Sequence, residues 1–162
     1  MKISAQSLTT GGLGWLQSTP RRTFVLYPIC VILFELVVRR GTIAFHLWGA
    51  IFVVWGYLQY RFAGAYRIHH GGGGPGLDVP PGHIVYSGPY RFTRNPMYLG
   101  HLIFMLGLAI TFSSWFAAAL LVVHIGWFHR RVLRDEARLK QRFGATYTAY
   151  QAQVKRWIPG IL

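Results

Sequence analysis

Four apolar segments separated by polar breaks dominate the chain. They cover residues 23–38, 42–60, 98–112 and 115–128. The short break RRG separates the first two segments, and SS separates the last two. Long apolar runs joined by short breaks are typical of helices that fold back on each other. The pattern predicts an all-α fold in which about four membrane helices form two hairpins.

A polar tail follows the fourth segment. Residues from about 129 to 143 have helical periodicity, and Gly144 is a plausible C-terminal stop for that helix. A second short helix is predicted near 146–154. We expect these C-terminal helices to lie outside the membrane, on the cytoplasmic side.

A glycine-rich loop separates the two predicted hairpins. Residues 69–83 read HHGGGGPGLDVPPGH, a composition that excludes regular helix and strand. A flexible linker is the simpler interpretation. A loop of this length inside a compact domain is also often functional, so both interpretations stay open.

Composition places the chain in the membrane. Of its 162 residues, 52% are hydrophobic and only 13% are charged, which is too apolar for a soluble protein of this size. The shorter segments fall below the hydrocarbon thickness of about 30 Å at about 1.5 Å per residue. Local thinning of the bilayer or partial insertion is then required.

The basic residues predict an orientation. Lys and Arg number 17 against four acids, and they flank the apolar segments. Only Arg39 and Arg40 lie between the first two segments, whereas the others, including Lys2, lie at the termini and in the central loop. Because Lys and Arg are retained on the cytoplasmic side, a multi-pass protein with both termini and the central loop in the cytoplasm is predicted. No nucleic-acid motif accompanies the charge, so the expected partner is the lipid bilayer.

One acidic residue occupies an apolar helix face in the tail. The face is formed at helical spacing by Phe128, Val132, Glu136, Leu139 and Phe143. The opposite side is expected to be a solvated ion-pair ladder of Arg131, Arg134, Asp135, Arg138 and Arg142. A carboxylate facing apolar neighbours needs a positive partner. That partner is either an internal arginine, such as Arg91 or Arg94, or a cationic ligand.

A second unusual stretch, GPYRFTRNPMYLG, spans residues 88–100. Pro89 and Pro96 force an irregular backbone, which at membrane depth must be buried in protein or line a cavity. A helix start explains Pro96 in the first turn and Asn95 as its N-cap. It does not explain the remaining polar and aromatic side chains of the stretch, Tyr90, Arg94 and Tyr98.

Together these motifs resemble a known family. GPYRFTRNPMYLG, followed by RVLRDEARLKQRFGATYTAY and VKRWIP, is similar to the isoprenylcysteine carboxyl methyltransferase and phospholipid methyltransferase family of membrane enzymes. The resemblance covers roughly residues 71–159, whereas residues 1–67 match only as two apolar helices. It implies a single membrane methyltransferase domain, 1–162, with an N-terminal hairpin (1–67) and a cofactor-binding catalytic part (68–162).

The resemblance also implies roles for individual residues, with S-adenosylmethionine as the cofactor and S-adenosylhomocysteine as its product. The positions implied near the adenosine part are Gly82, His83, Ile84, Val85 and Tyr90. Those implied near the amino-acid end are Arg94, Asn95, Pro96, Met97 and Tyr98. Glu136 is implied as a catalytic cofactor contact, and Arg131 as a catalytic residue that positions the substrate. A sulfonium and an ammonium would supply the cations that Glu136 needs.

The methyl acceptor stays open. We expect methyl transfer to a membrane-embedded or small amphiphilic acceptor, as in the isoprenylcysteine enzymes. One alternative is N-methylation of a phospholipid ethanolamine headgroup, and another is a non-catalytic basic scaffold that binds anionic lipid. No metal site is expected, because the pair His69 and His70 lacks nearby acidic or thiol ligands. The sequence does not indicate an oligomeric state.

Overall fold

The computed structural model describes residues 18–72 and 81–158. Throughout these ranges the regular structure is helical, with no strand, as predicted. The main helices are α1 (Tyr27–Val38), α2 (Leu47–Gly71), α3 (Pro96–Phe112) and α4 (Trp115–Gln153). Lys2 and the centre of the glycine-rich loop, residues 73–80, lie outside the described residues.

Each predicted apolar segment forms a helix, but two boundaries were wrong. Residues 42–46 are not helical, and the His46 N–H donates to the Thr111 carbonyl at 2.8 Å. At the other end, α2 continues past residue 60 through His69, His70 and Gly71, which were assigned to the loop. The helix ends at Gly72, which has a φ of 67° and donates its N–H to Ile68. Of the four consecutive glycines at 71–74, the first is therefore still helical and the second stops the helix.

A widened helical turn precedes α1. Residues Thr19–Arg21 are helical, and Arg22–Leu26 form a π-helical turn in which the Tyr27 N–H donates to the Arg22 carbonyl. Pro28 follows directly, lacks an N–H and crowds the carbonyl four residues earlier. This proline explains why the preceding turn is wide, because π-bulges form where the normal helical ladder is interrupted.

Helices α2 and α3 touch at the level of their backbones. Gly49, Gly56 and Ala63 recur every seven residues along α2, and Gly100 and Gly107 have the same spacing on α3. A Cβ added to Gly56 would lie 2.3 Å from the Phe104 nitrogen. Small residues that allow such close approach are a common basis of helix pairing in membranes.

This packing changes the predicted pairing of helices. The second of the two expected hairpins is confirmed, because α3 and α4 pack on each other. The first is not, because α2 packs chiefly on α3, and α1 contacts α3 and α4. The RRG break is present as a turn, with Arg40 and Gly41 at positive φ. The small-residue stripes explain the difference, because they direct α2 toward α3 and not toward its neighbour in sequence.

The described helices differ in how well they match a bilayer. One of them, α4, is both long and apolar enough to cross, and α3 is a shorter apolar helix. Helix α2 bears a row of exposed apolar side chains: Leu47, Trp48, Ile51, Val54, Trp55 and Leu58.

Helix α4 changes direction at Gly144, the residue predicted as a helix stop. Gly144 has φ 53° and ψ −123°, a conformation that glycine adopts without the strain of a Cβ. The helical piece beyond it ends at Gln153, close to the predicted 154. The chain then returns to the stretch before α3, where the Arg94 N–H donates to the Lys155 carbonyl at 3.0 Å.

Replacing Gly56 by Ala should destabilise the fold. The new methyl group would collide with the backbone of α3, so we expect a loss of about 1–3 kcal/mol in the free energy of unfolding. Gly126→Ala is the matched control, because a Cβ there meets nothing within 4 Å. Thermal unfolding of the purified proteins in one detergent measures both. Equal melting temperatures for the two variants would contradict direct backbone contact between α2 and α3.

Candidate functional site

A cavity of about 210 Å³ lies where the two sequence motifs meet. Its walls come from the C-terminal end of α2, the segment around a 3-10 turn at Gly88–Arg91, the start of α3, and both pieces of α4. The lining residues are Arg67, Pro81, Ile84, Val85, Tyr90, Arg94, Asn95, Pro96, Met97, Tyr98, Asp135, Glu136, Arg138, Leu139, Arg142, Tyr147 and Tyr150.

The cavity brings together most of the site residues that were predicted from the sequence. Those that line it are Ile84, Val85, Tyr90, Arg94, Asn95, Pro96, Met97, Tyr98 and Glu136. Gly82 and His83 lie just outside, where the His83 N–H donates to the Gly71 carbonyl at 2.9 Å. Arg131 does not line the cavity either.

Glu136 is buried, as predicted, with 4% of its surface exposed. Arg94 donates to both carboxylate oxygens, from Nε to Oε1 at 3.0 Å and from Nη2 to Oε2 at 3.2 Å. Arg156 donates to Oε2 at 3.1 and 2.9 Å. The Asn95 and Gln151 amides approach at 3.4 Å. The sequence left two kinds of positive partner open for this carboxylate, an internal arginine or a cationic ligand. In the structure an internal arginine, Arg94, is paired with it.

Arg94 also fastens the end of α4 to the start of α3. Its Nη1 donates to the carbonyl oxygens of Gln151 at 3.1 Å and Val154 at 2.6 Å. A guanidinium at the C-terminus of a helix satisfies carbonyls that have no partner within the helix and complements the helix dipole. Arg94 therefore links the segment before α3 to two places on α4, Glu136 and the C-terminal end of the helix.

Asn95 occupies the N-cap position of α3, but its side chain makes no capping hydrogen bond. Its Nδ2 donates instead to the Arg156 carbonyl at 3.2 Å. Pro96, which has no N–H to cap, takes the first helical position as predicted. The amide of Asn95 thus holds the C-terminal segment and leaves the helix start uncapped.

Asp135 belongs to the predicted row of ion pairs, but it lies in the cavity wall and not on a fully solvated helix face. Its Oδ2 accepts a hydrogen bond of 2.6 Å from the Tyr98 hydroxyl. Arg138 lies 3.6 Å from Oδ1, and Arg131 lies 4.0 Å from Oδ2. The residues three, four and seven positions after it share one face of α4 with it and also line the cavity: Arg138, Leu139 and Arg142.

Two tyrosines from beyond Gly144 close the far wall. The Tyr150 hydroxyl donates to the Tyr90 carbonyl at 2.6 Å, and Tyr147 packs beside it. Tyr90 is itself buried and donates to the Ala63 carbonyl at 3.4 Å. Burial raises the pKa of the Tyr90 phenol to about 12, so it stays protonated at physiological pH.

Arg131 lies behind the cavity wall. Its guanidinium carbon is 6.0 Å from the Tyr98 ring centre and 5.6 Å from that of Trp127, within the range of cation–π contacts. Its Nη1 donates to the Thr19 hydroxyl at 3.4 Å. The predicted ion pair with Asp135 is present, so Arg131 contacts two residues of the cavity wall, Asp135 and Tyr98, without lining the cavity itself.

Several lining residues were not identified from the sequence. The contributions from outside the two quoted motifs are Arg67 and Pro81, and those within the second motif are Asp135, Arg138, Leu139, Arg142, Tyr147 and Tyr150. The spacing of Asp135, Arg138 and Arg142 was a usable signal, because it marks a second helix face beside Glu136. No signal identified Arg156 as a partner of Glu136, because the contact requires the change of direction at Gly144.

Comparison with known proteins identifies the family of this sequence. The sequence model of the family described as phospholipid methyltransferase matches residues 38–146, which is more than half of the chain. The chain belongs to the phospholipid methyltransferase family. The matched region includes α2, α3, Arg94, Asp135 and Glu136, whereas Arg156 lies beyond it.

Curated relatives share part of this sequence. A protein-S-isoprenylcysteine O-methyltransferase of Schizosaccharomyces pombe is 33% identical over 47% of this chain and 33% of its own length. Protein-S-isoprenylcysteine O-methyltransferase A of Arabidopsis thaliana is 32% identical over 58% of this chain and 42% of its own length. The matches thus span about a third to two fifths of these relatives.

Removing the charge of Glu136 should destabilise this member of the phospholipid methyltransferase family. In Glu136→Gln two guanidinium groups lose their carboxylate, and Arg94 has only 8% of its side chain exposed. We expect a loss of about 3–5 kcal/mol, as for other buried ion pairs that lose one partner. Arg156→Gln is the milder comparison, because the Arg156 side chain is 30% exposed and Arg94 remains. Chemical unfolding ranks the two variants, and a loss from Arg156→Gln equal to that from Glu136→Gln would contradict the central place of the carboxylate.

Proposed function

We propose that the chain is an S-adenosylmethionine-dependent methyltransferase that binds its cofactor in the described cavity. The observation that carries the proposal is the meeting of both sequence motifs around one cavity that is lined by apolar and by charged side chains. Membership of the phospholipid methyltransferase family supports methyl transfer. The names of the curated relatives support an O-methyl acceptor.

The residues of the cavity fit the chemical groups of S-adenosylmethionine. The apolar side chains of Ile84, Val85 and Leu139 suit the adenosine part, and Tyr90 lies beside them. Gly82 and His83 lie at the start of this segment, which the hydrogen bond from the His83 N–H to the Gly71 carbonyl holds against the end of α2. The segment from Arg94 to Tyr98 suits the amino-acid end, where both positive and negative protein groups are available.

Asp135 is the carboxylate we assign to the positive charge of the cofactor. Glu136 already accepts from two guanidinium groups, whereas Asp135 has one short hydrogen bond, from Tyr98, and two longer ion contacts. Its side chain is also more exposed, 27% against 6% for Glu136. Glu136 also lines the cavity, and in this proposal its main part is to hold Arg94 and the C-terminal wall in place.

The arginines of the cavity suit the carboxylate of the cofactor. Four arginines line the cavity: Arg67, Arg94, Arg138 and Arg142. Two carboxylates, Asp135 and Glu136, are among the described lining residues, so the described part of the wall has more positive than negative side chains. Guanidinium groups bind carboxylates strongly and with defined geometry.

When bound, the cofactor supplies a methyl group on a positively charged sulfonium. The protein must align an acceptor with that group and exclude water. An acceptor that is already a carboxylate or a thiolate needs no general base, which suits a cavity whose two acids are in ion pairs. Tyr90 is a poor base because its pKa is about 12, so it contributes as a hydrogen-bond donor.

The proposal also includes how the chain lies in the membrane. We infer a multi-pass protein in one domain, in which the exposed apolar row of α2 faces lipid and α4 crosses the bilayer. The excess of Lys and Arg around the cavity favours a cytoplasmic position for it. The cofactor would then enter from the cytoplasm and an amphiphilic acceptor from the bilayer, with Arg131 next to its polar group.

N-methylation of an ethanolamine headgroup is the second candidate, because the matching family is described as phospholipid methyltransferase. An ammonium acceptor must lose a proton before it can accept a methyl group. Lipid extracts from cells that express the chain separate the two candidates. Mono- and dimethylated headgroups would support the second candidate, and methyl esters of a prenylcysteine would support the first.

Replacing Asp135 by Asn should weaken binding of S-adenosylmethionine more than binding of S-adenosylhomocysteine. Only the former carries the sulfonium charge, so loss of the facing carboxylate should reduce its affinity by about tenfold, or about 1.4 kcal/mol. Calorimetry on purified wild type and variant measures both affinities. Arg134→Gln, on the exposed side of the same helix, is the control. Failure of the wild type to bind either molecule would overturn the proposed function, and equal losses for both ligands would overturn the role of Asp135.

A further inference from the structure

Arg22 holds an unusual position at the start of the first helix. Its Nε is buried and has no hydrogen-bond partner among the described residues. Its guanidinium carbon lies 5.5 Å from the centre of the Trp127 ring. Buried polar atoms without partners are rare, and each one calls for a ligand, a water molecule or a strained site as its explanation.

The π-helical turn gives this position a structural cause. Arg22 is the first residue of that turn, and Thr23 is the second. The hydroxyl of Thr23 is also buried without a hydrogen-bond partner in the described chain. Two neighbouring orphaned polar groups on one π-helical turn fit the general association of such turns with functional sites.

Arg22 and Arg131 converge on the same aromatic ring. Their guanidinium carbons lie 5.5 and 5.6 Å from the Trp127 ring centre. Trp127 stands at the end of the apolar part of α4, just before the basic stretch that begins at His129. Two guanidinium groups near one aromatic side chain make this region positive, and partial burial weakens the screening of their charge by water.

The protein has few anions of its own to offer Arg22. Glu35 pairs with Arg39 at 2.6 Å, and Asp135 and Glu136 are engaged at the cavity. Residues 1–17 contain no acid, so Asp78 is the one remaining carboxylate in the sequence. No salt bridge to Arg22 occurs in the described ranges. None of the three carboxylates in the described residues pairs with Arg22, so its guanidinium is open to an anionic ligand.

Tyr98 connects the region around Arg131 and Trp127 to the cavity. One side of its ring faces Arg131 at 6.0 Å, while its hydroxyl donates to Asp135 in the cavity wall. An anion held beside Arg131 would therefore lie next to Tyr98, a residue of the cavity wall. This position suits the polar group of an acceptor better than a lipid that merely surrounds the protein.

We propose that Arg22 is a positioning residue for the methyl acceptor, and that Arg22 and Arg131 together bind its anionic group beside Trp127. The group is a carboxylate or a phosphodiester on an amphiphile. This inference rests on the proposed function and adds to it a contribution from the N-terminal helix, outside the matched family region of residues 38–146.

The experiment compares Arg22→Gln and Arg22→Lys with wild type, using the full chain in detergent. Arg21→Gln is the matched control, since Arg21 is the exposed neighbour. The probes are S-farnesylcysteine for the carboxylate and dioctanoyl phosphatidylethanolamine for the phosphodiester. For each variant the KM and kcat for both acceptors are measured, together with the affinity for S-adenosylhomocysteine.

We expect Arg22→Gln to raise the KM of one acceptor about tenfold, the size of a lost charge-assisted hydrogen bond. The kcat and the affinity for S-adenosylhomocysteine should stay near wild type, and Arg22→Lys should recover part of the loss. The acceptor whose KM rises shows whether the bound anionic group is a carboxylate or a phosphodiester. An unchanged KM for both acceptors, or an equal loss of S-adenosylhomocysteine affinity, would overturn the proposal.

Equilibrium binding of the same two amphiphiles separates this inference from the proposed function. Because binding is measured without turnover, it tests the role of Arg22 in acceptor binding even if no methyl transfer occurs. If S-adenosylhomocysteine binds wild type but neither amphiphile does, the role of Arg22 is overturned and the cofactor site stands. If an amphiphile binds through Arg22 and S-adenosylhomocysteine does not bind, the proposed function is overturned instead.

Discussion

The carboxylate of Glu136 holds together parts of the chain that are far apart in sequence. Its burial would be unfavourable without positive partners, and Arg94 and Arg156 supply them from before α3 and after α4. Arg94 then fixes the end of α4 through the Gln151 and Val154 carbonyls. The walls of the cavity therefore depend on one ion-pair network, and a direct role of Glu136 in ligand binding is not needed to explain its burial.

The scaffold and the site use different physical interactions. Helices α2 and α3 are joined by close van der Waals contact at Gly49, Gly56 and Gly100, where side chains are absent. The cavity beside them is built from long polar and aromatic side chains. This division places the charged groups at one end of the helix pair, while the outer face of α2 keeps a row of exposed apolar side chains.

The sequence predicted the parts of this arrangement that depend on local pattern. Four helices, the turn at Gly144 and the burial of Glu136 follow from apolar periodicity and glycine chemistry. The pairing of α2 with α3 could have been inferred from glycines spaced by seven, but was not. The place of Asp135 was missed because one helix face was treated as fully solvated. Arg156 could not be predicted, since its contact with Glu136 depends on how α4 folds back.

Gly144 separates the last helical piece from the rest of α4. No helical ladder carries stability across such a break, so residues 145–157 form a small unit attached through Arg94, Asn95 and Tyr150. Such a unit opens at a lower free energy than a pair of helices in backbone contact. Amide hydrogens of this wall should therefore exchange with solvent sooner than those of α2, and a ligand that fills the cavity would slow that exchange by mass action.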